Sequence, residues 1–90
     1  MPPFTVQPTP NPNSLKFTAS DRAFIEEGMG AFASAAEAEG DALGAPLFAL
    51  DGVHNVLVLP GFVTVTKTTE TDWDALLPRI EAILTEHLAA

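Results

Sequence analysis

Val53-His54-Asn55-Val56-Leu57-Val58-Leu59-Pro60-Gly61-Phe62-Val63-Thr64-Val65-Thr66-Lys67 is the stretch on which the fold turns. Two runs rich in β-branched and aromatic residues, Val53 to Leu59 and Phe62 to Lys67, flank a Pro-Gly pair, which is the pattern of a β-hairpin. In the second run Val63 and Val65 share one face while Phe62, Thr64 and Thr66 share the other, because successive side chains of a strand alternate. Proline cannot take the positive φ of a type I′ turn, so a type II turn or a slightly longer loop is expected, and the register stays open.

Downstream of the hairpin lies a helix. Thr71-Asp72-Trp73-Asp74 has the form of a capping box with Asp in place of Glu, and its two acids suit the positive end of the helix dipole. Trp73, Leu76, Leu77, Ile80, Ile83, Leu84 and Leu88 fall on one helical face. Pro78 falls on the opposite, polar side, where a kink would bend the helix around the core.

Upstream, five of the eight prolines lie in the first twelve residues. Phe4-Thr5-Val6-Gln7, bounded by proline, reads as a short edge strand. Pro8-Thr9-Pro10-Asn11-Pro12-Asn13 cannot be helix, since each proline fixes its own φ and pushes its predecessor toward extended backbone. Asparagine supports turns, so this is a stiff turn leading into a second strand, Ser14 to Thr18, with Leu15 and Phe17 on one face.

Residues 19–40 are ambiguous. Ile25, Met29, Phe32, Ala33 and Ala36 recur at helical spacing after a possible Ser20 cap, which favours a helix. Gly28 and Gly30 interrupt that pattern, each at a cost of about 1 kcal/mol relative to alanine, and a loop with a short strand around Phe32 is the alternative. The Ala/Glu run from Ala33 to Glu39 stops at Gly40. Asp41 then caps a short helix carrying Leu43, Leu47 and Leu50, limited by Pro46 and ended by Gly52. Together these elements predict a single-domain α+β sandwich over residues 1–90, with a mainly antiparallel sheet of about four strands and helices packed on one face.

Composition narrows the chemistry. The chain has no cysteine, which excludes thiolate nucleophiles, redox dithiols, Cys-type zinc sites and cysteine-ligated iron–sulfur clusters within these residues. Twelve acids against four bases give a net charge of −8. The scattered cations Lys16, Arg22, Lys67 and Arg79 make no footprint for nucleic acid or for an anionic membrane. No apolar run is long enough to span a bilayer. Met1-Pro2-Pro3-Phe4 lacks the basic start and apolar stretch of a signal peptide, so a cytoplasmic location is expected.

Few groups converge as an enzyme requires. Asp51 and His54 are two groups without a third, and read more simply as a cap acid and a turn histidine. His87 in the last turn of the closing helix suits the dipole. The serines lack a nucleophile-elbow pattern. The acidic residues between Glu26 and Asp41 do not have the spacing of a calcium loop. Gly28 and Gly30 alone make no phosphate cradle. The Pro-Asn segment stands apart: a rigid turn with exposed amides is ready for recognition, because little ordering entropy remains to be lost on binding. Its structural alternative is a stiff connection between two strands.

Several segments together resemble one family. Pro8-Thr9-Pro10-Asn11-Pro12-Asn13-Ser14-Leu15-Lys16-Phe17 resembles the TPNPNxLKF motif of the Nfu/NifU-type N-terminal domain. Asp41 to Phe48 is similar to its SPLAxxLF segment, with Asp for the capping Ser, and Leu50-Asp51-Gly52-Val53 to its I-x-G-V step. Phe62 to Lys67 resembles its DFITVTK strand with Gly61 where Asp is usual, and Asp72-Trp73 with Leu76 and Pro78 its closing helix. The likeness runs from about residue 4 to residue 88. In that family the domain accompanies an iron–sulfur scaffold whose Cys-x-x-Cys pair lies in a separate C-terminal domain.

The resemblance therefore implies a stand-alone accessory domain without the cluster-holding pair. It implies a non-enzymatic module in iron–sulfur cluster assembly or delivery that binds a scaffold or a client apoprotein. Iron binding at the family level belongs to the complete scaffold, and no ligand set here would hold iron tightly. The candidate partner-binding residues are Asn11, Asn13, Lys16 and Lys67; no catalytic, cofactor or metal residue is expected, and the oligomeric state is open. The net charge predicts a basic partner surface and a salt-sensitive association. The alternatives are a module taking a small molecule, a peptide or weakly held iron beside the Pro-Asn turn, and an enzyme using Asp51 and His54.

Overall fold

A computed structural model describes residues 4–20 and 22–89. The signal-peptide reading of Met1 to Pro3 lies outside the described residues. Strands β1 (Phe4–Pro8), β2 (Ser14–Ala19), β3 (Gly30–Phe32), β4 (Val53–Val58) and β5 (Phe62–Lys67) form a sheet in the order β1-β2-β5-β4-β3. Every neighbouring pair is antiparallel. Helices α1 (Ala35–Ala38), α2 (Gly44–Phe48) and α3 (Trp73–Ala89) complete the α+β fold.

Alternation explains the layers. Val56 lies opposite Val65, Val58 opposite Val63, and Phe17 opposite Val63 on its other side, so one sheet face is a continuous apolar surface. Leu43 and Leu47 of the α2 region and Leu76, Ile80, Leu84 and Leu88 of α3 close over it as one buried cluster. Phe4 from β1 meets Phe17 edge-on at 5.9 Å between ring centroids, extending the core to the sheet edge. The helices thus share one face, as the sequence predicts. Thr18, Thr64 and Lys16 occupy the alternate positions and face away from the helices.

Four expectations need correction. The sheet has five strands rather than about four, because Gly30–Phe32 pairs with Val56–Val58. The helix favoured over residues 19–40 does not form, and neither does its Ser20 cap. Gly28 takes a positive φ of 83°, while backbone bonds from Phe24 N to Pro60 O (2.9 Å) and burial of the Phe24 ring hold the segment along the hairpin. An open edge on β4 gains more from a paired strand than a glycine-interrupted helix would supply. Helix survives only as the single turn α1, where Ser34 Oγ accepts from Glu37 N and Glu37 Oε1 accepts from Ala33 N.

The type II turn is also absent, since Gly61 is not among the residues of positive φ. Pro60-Gly61 is instead a tight connection closed by Leu59 N donating to Phe62 O at 2.8 Å. Its two carbonyls turn outward to accept from Phe24 N and Ala19 N, each at 2.9 Å, so neighbouring chain decides the turn geometry. Finally, Thr71 does not cap α3. Its hydroxyl bonds that of Thr68 at 2.7 Å, and Asp72 precedes the first helical residue, its carbonyl accepting from Ala75 N and Leu76 N. Pro78 lies inside α3 on its exposed side.

Gly52 positions the next feature. It takes a φ of +97°, and a Cβ there would stand 2.3 Å from Thr71 Oγ1. That close approach lets Gly52 O accept from Thr68 N at 2.8 Å, tying the start of β4 to the loop between β5 and α3. The Thr68–Thr71 loop is thereby fixed beside the Pro-Asn turn.

Candidate recognition site at the Pro-Asn turn

The turn between β1 and β2 is closed by its own polar side chains. Thr9 Oγ1 lies 2.9 Å from Asn11 O and accepts from Asn11 N at 3.1 Å. Asn11 Oδ1 accepts from Asn13 N at 2.9 Å, and Ser14 N donates to Asn11 O at 3.0 Å. An asparagine bonding the backbone two residues on is the reason this residue type stabilises such a turn. Pro10, Asn11 and Pro12 are exposed, and Asn13 is half-buried.

From outside, the turn is held by the end of β5 and the start of α3. Lys67 grips Asn13 twice: its backbone N donates to Asn13 O at 2.8 Å and its Nζ to Asn13 Oδ1 at 2.9 Å. A further bond runs from Lys67 Nζ to Thr68 O at 3.4 Å. Trp73 Nε1 donates to Pro12 O at 3.1 Å, and Lys67 Nζ sits 5.6 Å from the indole centroid. Asn13 Nδ2 reaches Thr69 Oγ1 at 3.3 Å, and Ser14 Oγ pairs with Thr66 Oγ1 at 2.7 Å. Lys67 is only 8% exposed although it ends a strand, because it continues the inward series of Val63 and Val65.

Three of the four candidates therefore meet: Asn11, Asn13 and Lys67 share one polar network. Lys16 does not join it. It projects from the open sheet face, its Nζ 4.4 Å from the centroid of the Phe62 ring. Trp73 and Thr69 belong to the network although the sequence did not mark either as a binding residue. Trp73 fits the apolar stripe of α3, yet its indole N–H needs an acceptor when covered, and that requirement was the available signal.

Beside the network is an open notch of about 340 Å³ walled by Asn11, Asn13, His54, Lys67, Thr68 and Thr69. His54 is exposed and opens toward this notch, whereas Asp51 borders a different cleft of about 400 Å³ with Thr71 and Arg79. The two residues weighed as an acid/base pair thus line separate hollows. Among the described residues, no three His, Asp or Glu side chains are grouped to hold a metal ion. No helix among the described residues is long and apolar enough to cross a membrane.

The family described as scaffold protein Nfu/NifU N terminal matches residues 4–90. The chain is similar to the NFU1 iron-sulfur cluster scaffold homolog, mitochondrial, of Homo sapiens, 40% identical over 85 residues, covering 93% of this chain and 33% of that protein. It is also similar to NifU-like protein 5, mitochondrial, of Arabidopsis thaliana, 39% identical over 84 residues, covering 93% of this chain and 30% of the relative. This chain thus spans about a third of these relatives. A solution NMR structure of a NifU-like protein from Saccharomyces cerevisiae superposes with a TM-score of 0.82, at 24% identity, over 96% of this chain and 77% of that one, which shows a shared fold.

Proposed function

The chain belongs to the Nfu/NifU N-terminal family of scaffold proteins, and from that premise we propose that it serves iron–sulfur cluster assembly or delivery as a non-enzymatic docking domain for a scaffold or client apoprotein. The chemistry of the donor set separates this role from that of holding a cluster. Thiolates are what bind iron–sulfur clusters, and these ninety residues contain none, so the residues present do not fit a cluster.

The observation that carries the reading is the locked turn. Asn11 and Pro12 are exposed, yet Thr9 and Ser14 hold the Asn11 backbone, Trp73 holds the Pro12 carbonyl, and Lys67 holds the adjoining Asn13. A partner meeting this surface orders almost nothing on binding, which is the circumstance in which a small contact gives useful affinity. Asn11, Asn13 and Lys67 form the centre of the proposed contact, with Lys16 on a separate face available to a larger partner. Net charge of −8 favours a partner surface that is basic around the contact.

A titration of labelled chain against a cysteine-bearing Nfu-type scaffold and against client apoproteins tests the proposal. Expected is saturable binding that weakens as salt rises and that falls at least tenfold for an Asn11→Ala/Asn13→Ala double variant. Absence of binding to all of them, with the chain folded, refutes the docking role. The cytoplasmic setting expected from the sequence is part of the same proposal; recovery of the chain in an organelle fraction on cell fractionation would overturn that part alone.

The notch beside the turn favours a second reading, a site for a small molecule or peptide. Amide shifts at Asn11, Asn13 and Lys67 during a ligand screen, with no response to scaffold or client, would select it over docking.

A further inference from the structure

We infer that the notch at Lys67 recognises a carboxylate group presented by the protein partner, an inference that rests on the docking role proposed above. An ammonium has three N–H donors. Lys67 Nζ uses two of them on neutral oxygens, Asn13 Oδ1 and Thr68 O, and the third has no oxygen acceptor among the described residues, only the Trp73 ring centred 5.6 Å away. The positive charge is thereby held in place by groups that do not neutralise it. None of the described residues lining the notch is acidic.

That freedom from acids is unusual for this chain. Of the Asp and Glu residues among the described residues, not one lies in any of the five strands. Both lysines do, so the sheet carries two of the four cationic residues while the described acids lie on helices and loops, as do Arg22 and Arg79. A cation entering the notch would meet the Lys67 ammonium. An apolar group would strip water from polar side chains without replacing their bonds. A carboxylate supplies what is missing: two acceptor oxygens and one negative charge.

A second donor stands close by. Thr69 Oγ1 accepts from Asn13 Nδ2, so its own hydrogen is free to donate. Lys67 Nζ and Thr69 Oγ1 are thus bonded to the two ends of the same amide, the Nζ to Asn13 Oδ1 and the hydroxyl to Asn13 Nδ2. Fixing both donors in advance leaves little rotamer entropy to lose, and hydrogen bonds between charged partners are the stronger class. A single ammonium with a hydroxyl matches one monoanionic group. Because the rest of the surface is acidic, the guest carboxylate is expected to sit among basic residues of the partner, which selects against acid-rich segments in general.

The test uses N-acetylated, C-amidated pentapeptides with a central glutamate flanked by lysines, beside the glutamine counterpart, followed by amide shifts and by Trp73 fluorescence. Expected is at least tenfold tighter binding of the glutamate peptide, with the largest shifts at Asn13, Lys67 and Thr69. A third peptide, with central glutamine and a free C-terminus, separates the two sources of a carboxylate; preference for it assigns the site to a chain end and keeps the chemistry. Lys67→Met should abolish the preference, while Arg79→Met, an equal change of net charge elsewhere, should leave it. Asn13→Asp, which supplies the notch with its own carboxylate, should block binding in a folded chain and guards against a misfolded Lys67 variant.

Equal binding of the glutamate and glutamine peptides overturns the inference, as does a preference that survives Lys67→Met. No measurable binding of any peptide to the folded chain overturns it too. These results are distinguishable from failure of the docking role. A chain that binds the Nfu-type scaffold equally well with and without Lys67→Met keeps that role and loses the carboxylate site. A chain that prefers the glutamate peptide but binds no scaffold or client does the reverse.

Discussion

Removing the acceptor of a covered ammonium and removing the ammonium itself should have very different consequences. In Asn13→Ala, Lys67 Nζ, on a residue only 8% exposed in the native chain, loses the partner at 2.9 Å and keeps only Thr68 O at 3.4 Å. Hydrogen bonds to charged groups are worth about 1.5–3 kcal/mol, and partial access of water from the notch reduces the expected loss to about 1–2 kcal/mol. In Lys67→Met the stem is kept, the charge is gone, and half-buried Asn13 can turn to water. The expected cost is under about 1 kcal/mol, since replacing a covered charge by an apolar side chain of similar volume is often close to neutral. The double variant should then be no less stable than Asn13→Ala alone.

Urea titration followed by far-UV circular dichroism measures this as a double-mutant cycle. With a slope of about 1 kcal/mol per molar urea, Asn13→Ala should lower the midpoint by about 1–2 M, and adding Lys67→Met should restore most of it. Trp73 emission, reporting from 5.6 Å away, should change in Lys67→Met even where stability does not. Strict additivity, or a greater loss from Lys67→Met than from Asn13→Ala, would show that the pair is not the unit described.

Other outcomes follow from single contacts. Gly52→Ala combines a left-handed φ with a Cβ overlapping Thr71, so a loss of about 2–5 kcal/mol is expected by denaturant titration, with Thr71→Gly recovering only the steric part. Ile80→Ala, at a fully buried position of α3, should cost about 2–5 kcal/mol in the same assay. Trp73→Phe keeps a ring and removes the bond to Pro12 O, so stability should fall by about 1 kcal/mol while amide exchange at Asn13 and Ser14 accelerates.

The parts of the fold that were readable in the sequence are those where one periodicity dominates. Val63 and Val65 alternate with threonines, and Leu76, Ile80 and Leu84 repeat every four residues, so burial alone decides their state. Around Gly28–Phe32 the helical spacing of Ile25, Met29 and Phe32 pointed the wrong way, and the alternative of a short strand at Phe32 prevails because the state of this segment is set by the edge of β4. Thr71 was drawn away from α3 by Thr68, a competition between two local hydrogen-bond partners that spacing does not reveal. Asn11 and Asn13 were recognisable as turn residues from the prolines around them. Their link to Lys67 and Trp73 was not, since it joins positions more than fifty residues apart through the sheet order. Burial of Lys67 was in principle visible, as the next odd position after Val63 and Val65.

The short β3 strand has one more consequence, for how copies of the chain meet. It pairs only with Val56–Val58, so among the described residues no strand lies beside the Val53–Asn55 end of β4 on that side, and Val53 N donates to Leu50 O at 3.4 Å. Such an edge invites a second sheet to add to it. Here the register shifts between Val53 and Asn55, an irregularity that twists the strand away from a straight template and leaves His54 exposed on it. At the other border Pro8 ends β1 with no N–H to offer. Both features make the margins of the sheet poorer templates for the addition of a further strand.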